Sequence, residues 1–486
     1  MIGGRLWNGA AIVLLTWGVL ALGATRPWAY LPLLAGMAIY GAVAFLKREE
    51  PGLIAQGLCF SLATLCGAVF LQLIPLPADL INVISPAMAP LAVFRGAAST
   101  AAGHATLDRW ALSRPLSIDP SATALGLACV MALSLFFVGT VRTMGPDGAR
   151  RLAVGLIGLG TIVAVLGIAE ASGLWGGIYA AAGLPLPPDS KPFGPFSSKN
   201  HYAGWMLMTL ALTMGYLCAA LEHTGLLSHA GRRRSFRGSR RMGTGRMLAV
   251  QCAATAMAVA LVQTRSRGGI LCLATAIVTL GGFLMRRCAS TRARMLVASP
   301  LVLLLLTGIV VTGAQPIVSR FAAGSWSTAH GRLPIWRQAM AIAQDFPITG
   351  SGFNTYQTIV PFYTTPEVDE PYEGAHNDFL QLAAEGGLLL ELPVLATIGF
   401  FIWEARQRFR ESSNDTVTEW LRIGAVGGLS LMAVQETVDF SLQVPGNAAL
   451  FVVLAAIAVH RAPTDSRGRR RGQGCQGSET GPSSDV

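Results

Sequence analysis

Long, nearly uninterrupted apolar runs dominate the sequence. They fall at about 9–25, 28–46, 53–75, 121–141, 152–171, 203–221, 248–264, 268–285, 295–313, 388–404, 421–436 and 447–460. Each approaches the roughly 20 residues that carry an α-helix across a hydrocarbon core. None alternates as barrel strands do, and a backbone in lipid must satisfy its hydrogen bonds inside helices or closed barrels. The pattern predicts an all-α polytopic membrane protein with about 12 transmembrane helices. Four runs, 248–264, 388–404, 421–436 and 447–460, are short or hold a polar group. The first run follows a single Arg5 and is succeeded almost at once by the second at Trp28, so it reads as an uncleaved span.

The polar intervals differ in charge. With the N-terminus inside, most of the 37 Lys and Arg residues fall on inner segments. These include Lys47 and Arg48, Arg142 to Arg151, seven arginines between 232 and 246, Arg286 to Arg294, Arg406 to Arg422, and Arg461 to Arg471. The positive-inside rule then places both termini in the cytoplasm. Three outer loops are long, at about 76–120, 172–202 and 314–387. Long ordered loops are usually functional, and the late loop is the largest. The tail from 461 to 486 is rich in Gly, Ser and Arg and reads as disordered.

Composition sharpens this picture. The chain of 486 residues is 52% hydrophobic and 13% charged, with a mean hydropathy of +0.50. An ordinary soluble protein carries about 25% charged residues. The net charge of +11 marks cytoplasmic loops and anionic lipid, so nucleic acid is not an expected partner. Eight cysteines include no C-x-x-C pair and read as small buried apolar residues.

The chemistry is sought first by elimination. The sequence has no Walker A loop, no H-E-x-x-H, no G-x-S-x-G and no strict D-x-D. Glu367-Val368-Asp369 and Asp79 each lack a second ligand at suitable spacing, so neither a metal nor a cofactor is expected. Polar residues instead gather at the outer ends of the runs. Gln263 to Gly269 make a sharp turn whose Arg265 and Arg267 oppose the charge bias, and guanidinium forks suit phosphate. Lys199, Asn200 and His201 precede a span and face the same outer side. A third cluster runs from Glu373 to Gly387. Read as one helix, it places His376, Leu380, Ala383 and Gly387 on a single face, with the pKa of His376 lowered by the helix start. Arg332 offers a third cation, and Glu436 and Asp439 are ionisable groups at the outer end of another span.

These blocks resemble the O-antigen ligase and polymerase superfamily. His376-Asn377, nine residues and Gly387 are similar to its H-N-x9-G signature, and Arg267 with Leu271 to its arginine motif at R-x3-L spacing. Gly194–Ala203, Arg332–Gly352 and Asp439–Leu442 resemble its other blocks in the same order. The likeness covers roughly 190–455, whereas earlier residues match mainly in layout. It divides the chain into an N-terminal bundle (1–190), a catalytic region (191–460, with the periplasmic loop 314–387) and the tail (461–486).

The resemblance implies a GT-C-like membrane glycosyltransferase of the bacterial inner membrane with a periplasmic site and no metal. Its donor would be a glycan on undecaprenyl diphosphate. Its acceptor would be lipid A-core for a ligase, or another lipid-linked glycan for an O-antigen or exopolysaccharide polymerase. By the same likeness His376 is the base, and Arg265, Arg267 and Arg332 neutralise the diphosphate. Asn200 and Asn377 orient His376 or the sugar, with support from Lys199, Glu436 and Asp439. A transporter or flippase is the reading from another class. It predicts ionisable groups near mid-membrane, not at the outer ends.

Overall fold

A computed structural model describes residues 2–46, 56–88, 113–145, 147–181, 191–223, 243–287, 327–364, 374–411 and 415–461, with the single positions 91, 183 and 291. Apolar runs become helices. In order these are α1 (Ile2–Leu20), α2 (Pro27–Leu46), α3 (Gln56–Leu71), α4 (Ala78–Ile84), α5 (Pro120–Thr143) and α6 (Gly148–Ala171). They continue as α7 (Lys199–His223), α8 (Thr244–Gln263), α9 (Arg267–Arg287), α10 (Ser327–Asp345), α11 (Asp378–Arg410), α12 (Thr416–Gln435) and α13 (Pro445–Val459). Seven of them, α2, α5, α6, α7, α8, α11 and α12, are long and apolar enough to cross a membrane. The chain is thus an all-α polytopic membrane protein. The apolar helices α3, α9 and α13 are shorter. The expected run 295–313 and the basic stretch 232–241 lie outside the described residues, as do Glu367 to Asp369 and the tail from 462.

Helix packing here relies on close backbone approach, as expected where lipid offers no hydrophobic incentive for helices to associate. The most extensive helix contact joins α7 to α12. At Gly424 a Cβ would fall 2.7 Å from the Ala211 carbonyl oxygen, so only glycine lets these backbones meet. The main core runs through α1, α2, α5 to α8, α12 and α13, around Phe136, Trp205, Met257 and Leu454.

A smaller core lies outside this bundle. Strand β1 (Pro75–Pro77) pairs antiparallel with β2 (Ser113–Pro115). Together with α4 they pack Ile81, Leu116 and Ile118 against Ile342, Phe346 and Tyr356. Described parts of two predicted outer loops, 76–120 and 314–387, therefore form one layer.

Two arginines counted as topology signals have a structural role. Arg422 is 2% exposed and donates to the carbonyls of Ala458 (3.1 Å), Arg408 (2.6 Å) and His460 (2.7 Å). Arg408 donates to Val459 O (3.1 Å) and pairs with Glu404 and Glu411. They satisfy carbonyls that the ends of α11 and α13 leave open.

Candidate functional site

The site forms where helix ends converge. The N-termini of α7, α9, α11 and α13 meet the C-termini of α8 and α12. Hydrogen bonds fix this junction. Gln435 Nε2 donates to Asn200 O (3.0 Å), and the Asp378 amide donates to Glu436 O (3.0 Å). Asn447 Nδ2 reaches the carbonyls of His201 (3.1 Å) and Ser441 (3.0 Å). Four helix N-termini at one place bring partial positive charge with them.

The turn between α8 and α9 is built from its own hydroxyls. Thr264 Oγ1 accepts from the Ser266 amide (3.1 Å), and Ser266 Oγ caps α9 by accepting from the Gly269 amide (3.3 Å). Arg265 occupies the left-handed corner at φ +52° and is exposed. Arg267 begins α9 and is half-buried. The charge of Arg267 acts on Arg332 of α10. Burial pushes the Arg332 pKa down, Asp439 draws it up, and Arg267 pushes it down again. The structure thus brings the charge of Arg267 to bear on Arg332, while Arg265 is exposed at the turn.

His376 corrects the expectation of a single helix from 376 to 387. The helix α11 starts at Asp378, and the side chain of Asn377 caps it by accepting from the amides of Phe379 and Leu380, both at 3.1 Å. His376 precedes the cap at φ +50°, so it lies off the helix face. The cap engages Asn377 Oδ1, so this oxygen serves the backbone and not the imidazole. Gly387, at φ +49° and ψ −160°, breaks the helix at the far end of the motif.

Around His376 the field is mostly positive. Burial lowers its pKa to about 4, helped by Arg332 and His201 and opposed by Asp439. The imidazole is therefore neutral at physiological pH, as the sequence suggested, although burial and neighbouring cations are the cause. Phe440 stands between two histidines. Its ring meets that of His376 edge-on at 4.8 Å and that of His201 at 5.0 Å. Asp439 is 3% exposed and accepts from Ser441 Oγ (2.7 Å) and Gln435 Nε2 (3.3 Å). Glu436 is 1% exposed, and burial together with the adjacent Asp378 raises its pKa strongly, so it is a neutral acid. Asn200 and Lys199 open α7 half-buried, and the Lys199 amide donates to Lys191 O (3.0 Å).

Sequence reasoning included Phe440 in the Asp439–Leu442 block without giving it a role, and it gave none to Gln435 or Asn447. Gln435 directly precedes Glu436, so proximity along the chain was the available signal there, whereas Asn447 carries no such local signal. Within the Glu373–Gly387 cluster, Glu385 has a structural role. Glu385 is a buried acceptor for the amides of Asn354 and Tyr356, both at 2.9 Å, and for Gln381 Nε2 at 3.1 Å. It ties the 346–356 loop to α11. Among the described residues no group of three His, Cys, Asp or Glu side chains could hold a metal ion.

Fold and site together define a multi-pass membrane protein with a cationic, histidine-bearing site at one end of its helical bundle. Within that class, residues 252–395 match the family model described as O-antigen ligase. The matched stretch includes Arg265, Arg267, Arg332, His376, Asn377 and Gly387, and a family of that description supports a glycosyltransferase-type activity of the ligase or polymerase kind. No match to a curated protein was found.

Proposed function

We propose that this protein transfers a glycan from undecaprenyl diphosphate to a sugar hydroxyl on lipid A-core, at the periplasmic face of the bacterial inner membrane. The acceptor oxygen attacks the anomeric carbon of the donor. The bond from that carbon to the diphosphate oxygen breaks, and the electron pair leaves with undecaprenyl diphosphate. His376 takes the acceptor's proton. Arg267 and Arg332 neutralise the leaving diphosphate, with Arg265 at the entrance and the helix N-termini adding to the field. Residues 191–460 carry the reaction, and 1–190 complete the bundle.

The observation that supports this reading best is a neutral His376 beside Arg332, which is itself beside Arg267. A base and an anion site must lie together for this displacement. Donor binding then has a consequence for the base. The diphosphate offsets Arg332, which removes one cause of the low His376 pKa and makes the imidazole a stronger base when the substrate is present. Charge supports this orientation, since Arg5, Arg150, Arg151, Arg246 and Arg422 sit toward the other end of their helices.

The test is glycan transfer by the purified full-length protein in detergent, with undecaprenyl-diphosphate-linked glycan and lipid A-core supplied. Transfer to lipid A-core is expected. Elongation of the lipid-linked glycan alone would instead make the protein a polymerase. His376→Asn tolerates the left-handed backbone, so its effect reports the imidazole. It is expected to lower the rate by about 10²–10⁴-fold. An unchanged rate would remove His376 from the base role. Failure of all transfer in detergent, with function only in sealed membranes, would favour transport.

A further inference from the structure

The opposite end of the bundle holds a second cationic feature. A cavity of about 940 Å³ opens between α6 and α8. It is lined by Arg5, Arg150, Arg151 and Arg246 against one carboxylate, Asp147. Asp147 lies 3.3 Å from Arg151. Among the described residues, Arg5, Arg150 and Arg246 have no carboxylate partner. All four arginines stand in the first turn of a helix, in α1, α6 and α8, where the backbone also favours anions.

Beyond the arginines the wall is apolar and narrow-chained, with Ile157, Gly158, Ala249, Ala253 and Ala256. At Gly158 an added Cβ would meet nothing within 4 Å, so the groove there is open space. The cavity reaches Thr161. From Arg150 to Thr161 the helix rises roughly 16 Å. That is about half the thickness of a hydrocarbon core, the depth of one leaflet. A soluble anion would satisfy the arginines and leave this groove unfilled. A lipid matches both parts.

We propose that the cavity binds an anionic phospholipid, its phosphate held by Arg5, Arg150 and Arg246 and one acyl chain lying in the groove between α6 and α8. The site is remote from His376, and the inference is independent of the glycan-transfer reaction.

The experiment is native mass spectrometry of the full-length protein, delipidated in detergent and incubated with phosphatidylglycerol or with phosphatidylcholine of the same chains. Phosphatidylglycerol is expected to be retained about tenfold better. Two variants separate the parts of the site. Arg5→Gln, Arg150→Gln and Arg246→Gln combined remove the charge, and Gly158→Leu fills the groove. Each is expected to lower phosphatidylglycerol retention about tenfold, and inorganic phosphate is expected not to displace the lipid. Equal retention of the two lipids, retention insensitive to both variants, or displacement by inorganic phosphate would overturn the proposal. Should the triple variant not fold, Gly158→Leu decides, because its side chain enters open space.

Discussion

At the scale of single residues, the site works by displacing one group from its usual protonation and leaving another neutral. Burial and Arg332 hold the His376 pKa near 4, below its ordinary 6.5. The sign is that of a base whose protonated form is disfavoured. The free enzyme therefore keeps a neutral imidazole down to about pH 4. The acid limb of kcat/KM is expected well below 6.5, and Arg332→Gln is expected to move it upward while weakening donor binding. A pH–rate profile of the two proteins checks this, and an acid limb at 6.5 in the parent would contradict it. Glu436 behaves oppositely, because burial and Asp378 keep it protonated. Glu436→Gln is then a near-isosteric change, expected to keep transfer within about threefold, whereas Asp439→Asn removes the carboxylate that faces Arg332 and His376 and is expected to cost far more.

At the scale of elements, the break in α11 organises the late loop. The Gly387 backbone lets the Leu388 amide donate to Pro347 O and the Leu389 amide to Ile348 O, both at 2.9 Å. A Cβ at Gly387 would lie 2.7 Å from the Gly350 nitrogen, and its positive φ disfavours any other residue. Gly387→Ala is expected to cost about 1–3 kcal/mol in strain, together with looser docking of the 346–356 loop. Thermal unfolding in detergent and limited proteolysis at that loop measure both, and unchanged cleavage would show that the loop is held by other means. The same elements show how much the sequence discloses. Its apolar runs locate α2, α5, α6 and α7 closely, because twenty apolar residues leave few alternatives. The predicted start of the late span at 388 falls next to the Gly387 break. The helix expected from 376 was wrong at its start because a capping Asn outweighs periodicity over so short a stretch. Arg332, Arg267, His376 and Asp439 were each legible as candidates. Only the family likeness suggested that they meet, because separate helix ends create the meeting and no local pattern encodes that distance.

At the scale of the whole molecule, the two ends of the bundle are held differently. The site end is joined by amide and hydroxyl donors, some of them to the Asp439 carboxylate, whereas the other end depends on Arg408 and Arg422. Removing Arg422 orphans three carbonyls at about 1–3 kcal/mol each. Arg422→Met is expected to lower the unfolding temperature markedly while leaving the pH dependence of transfer unchanged. A shifted profile would show that the ends communicate. The site end carries a different constraint, set by the placement of Phe440 between His201 and His376. One ring serves as the wall of two imidazoles, so positions 201, 376 and 440 are expected to vary as a single unit. A lineage that replaces the phenylalanine alters two contacts in one step. Such changes are expected to arrive together with a compensating change at 201, leaving in related sequences a correlated pair on either side of an aromatic hinge.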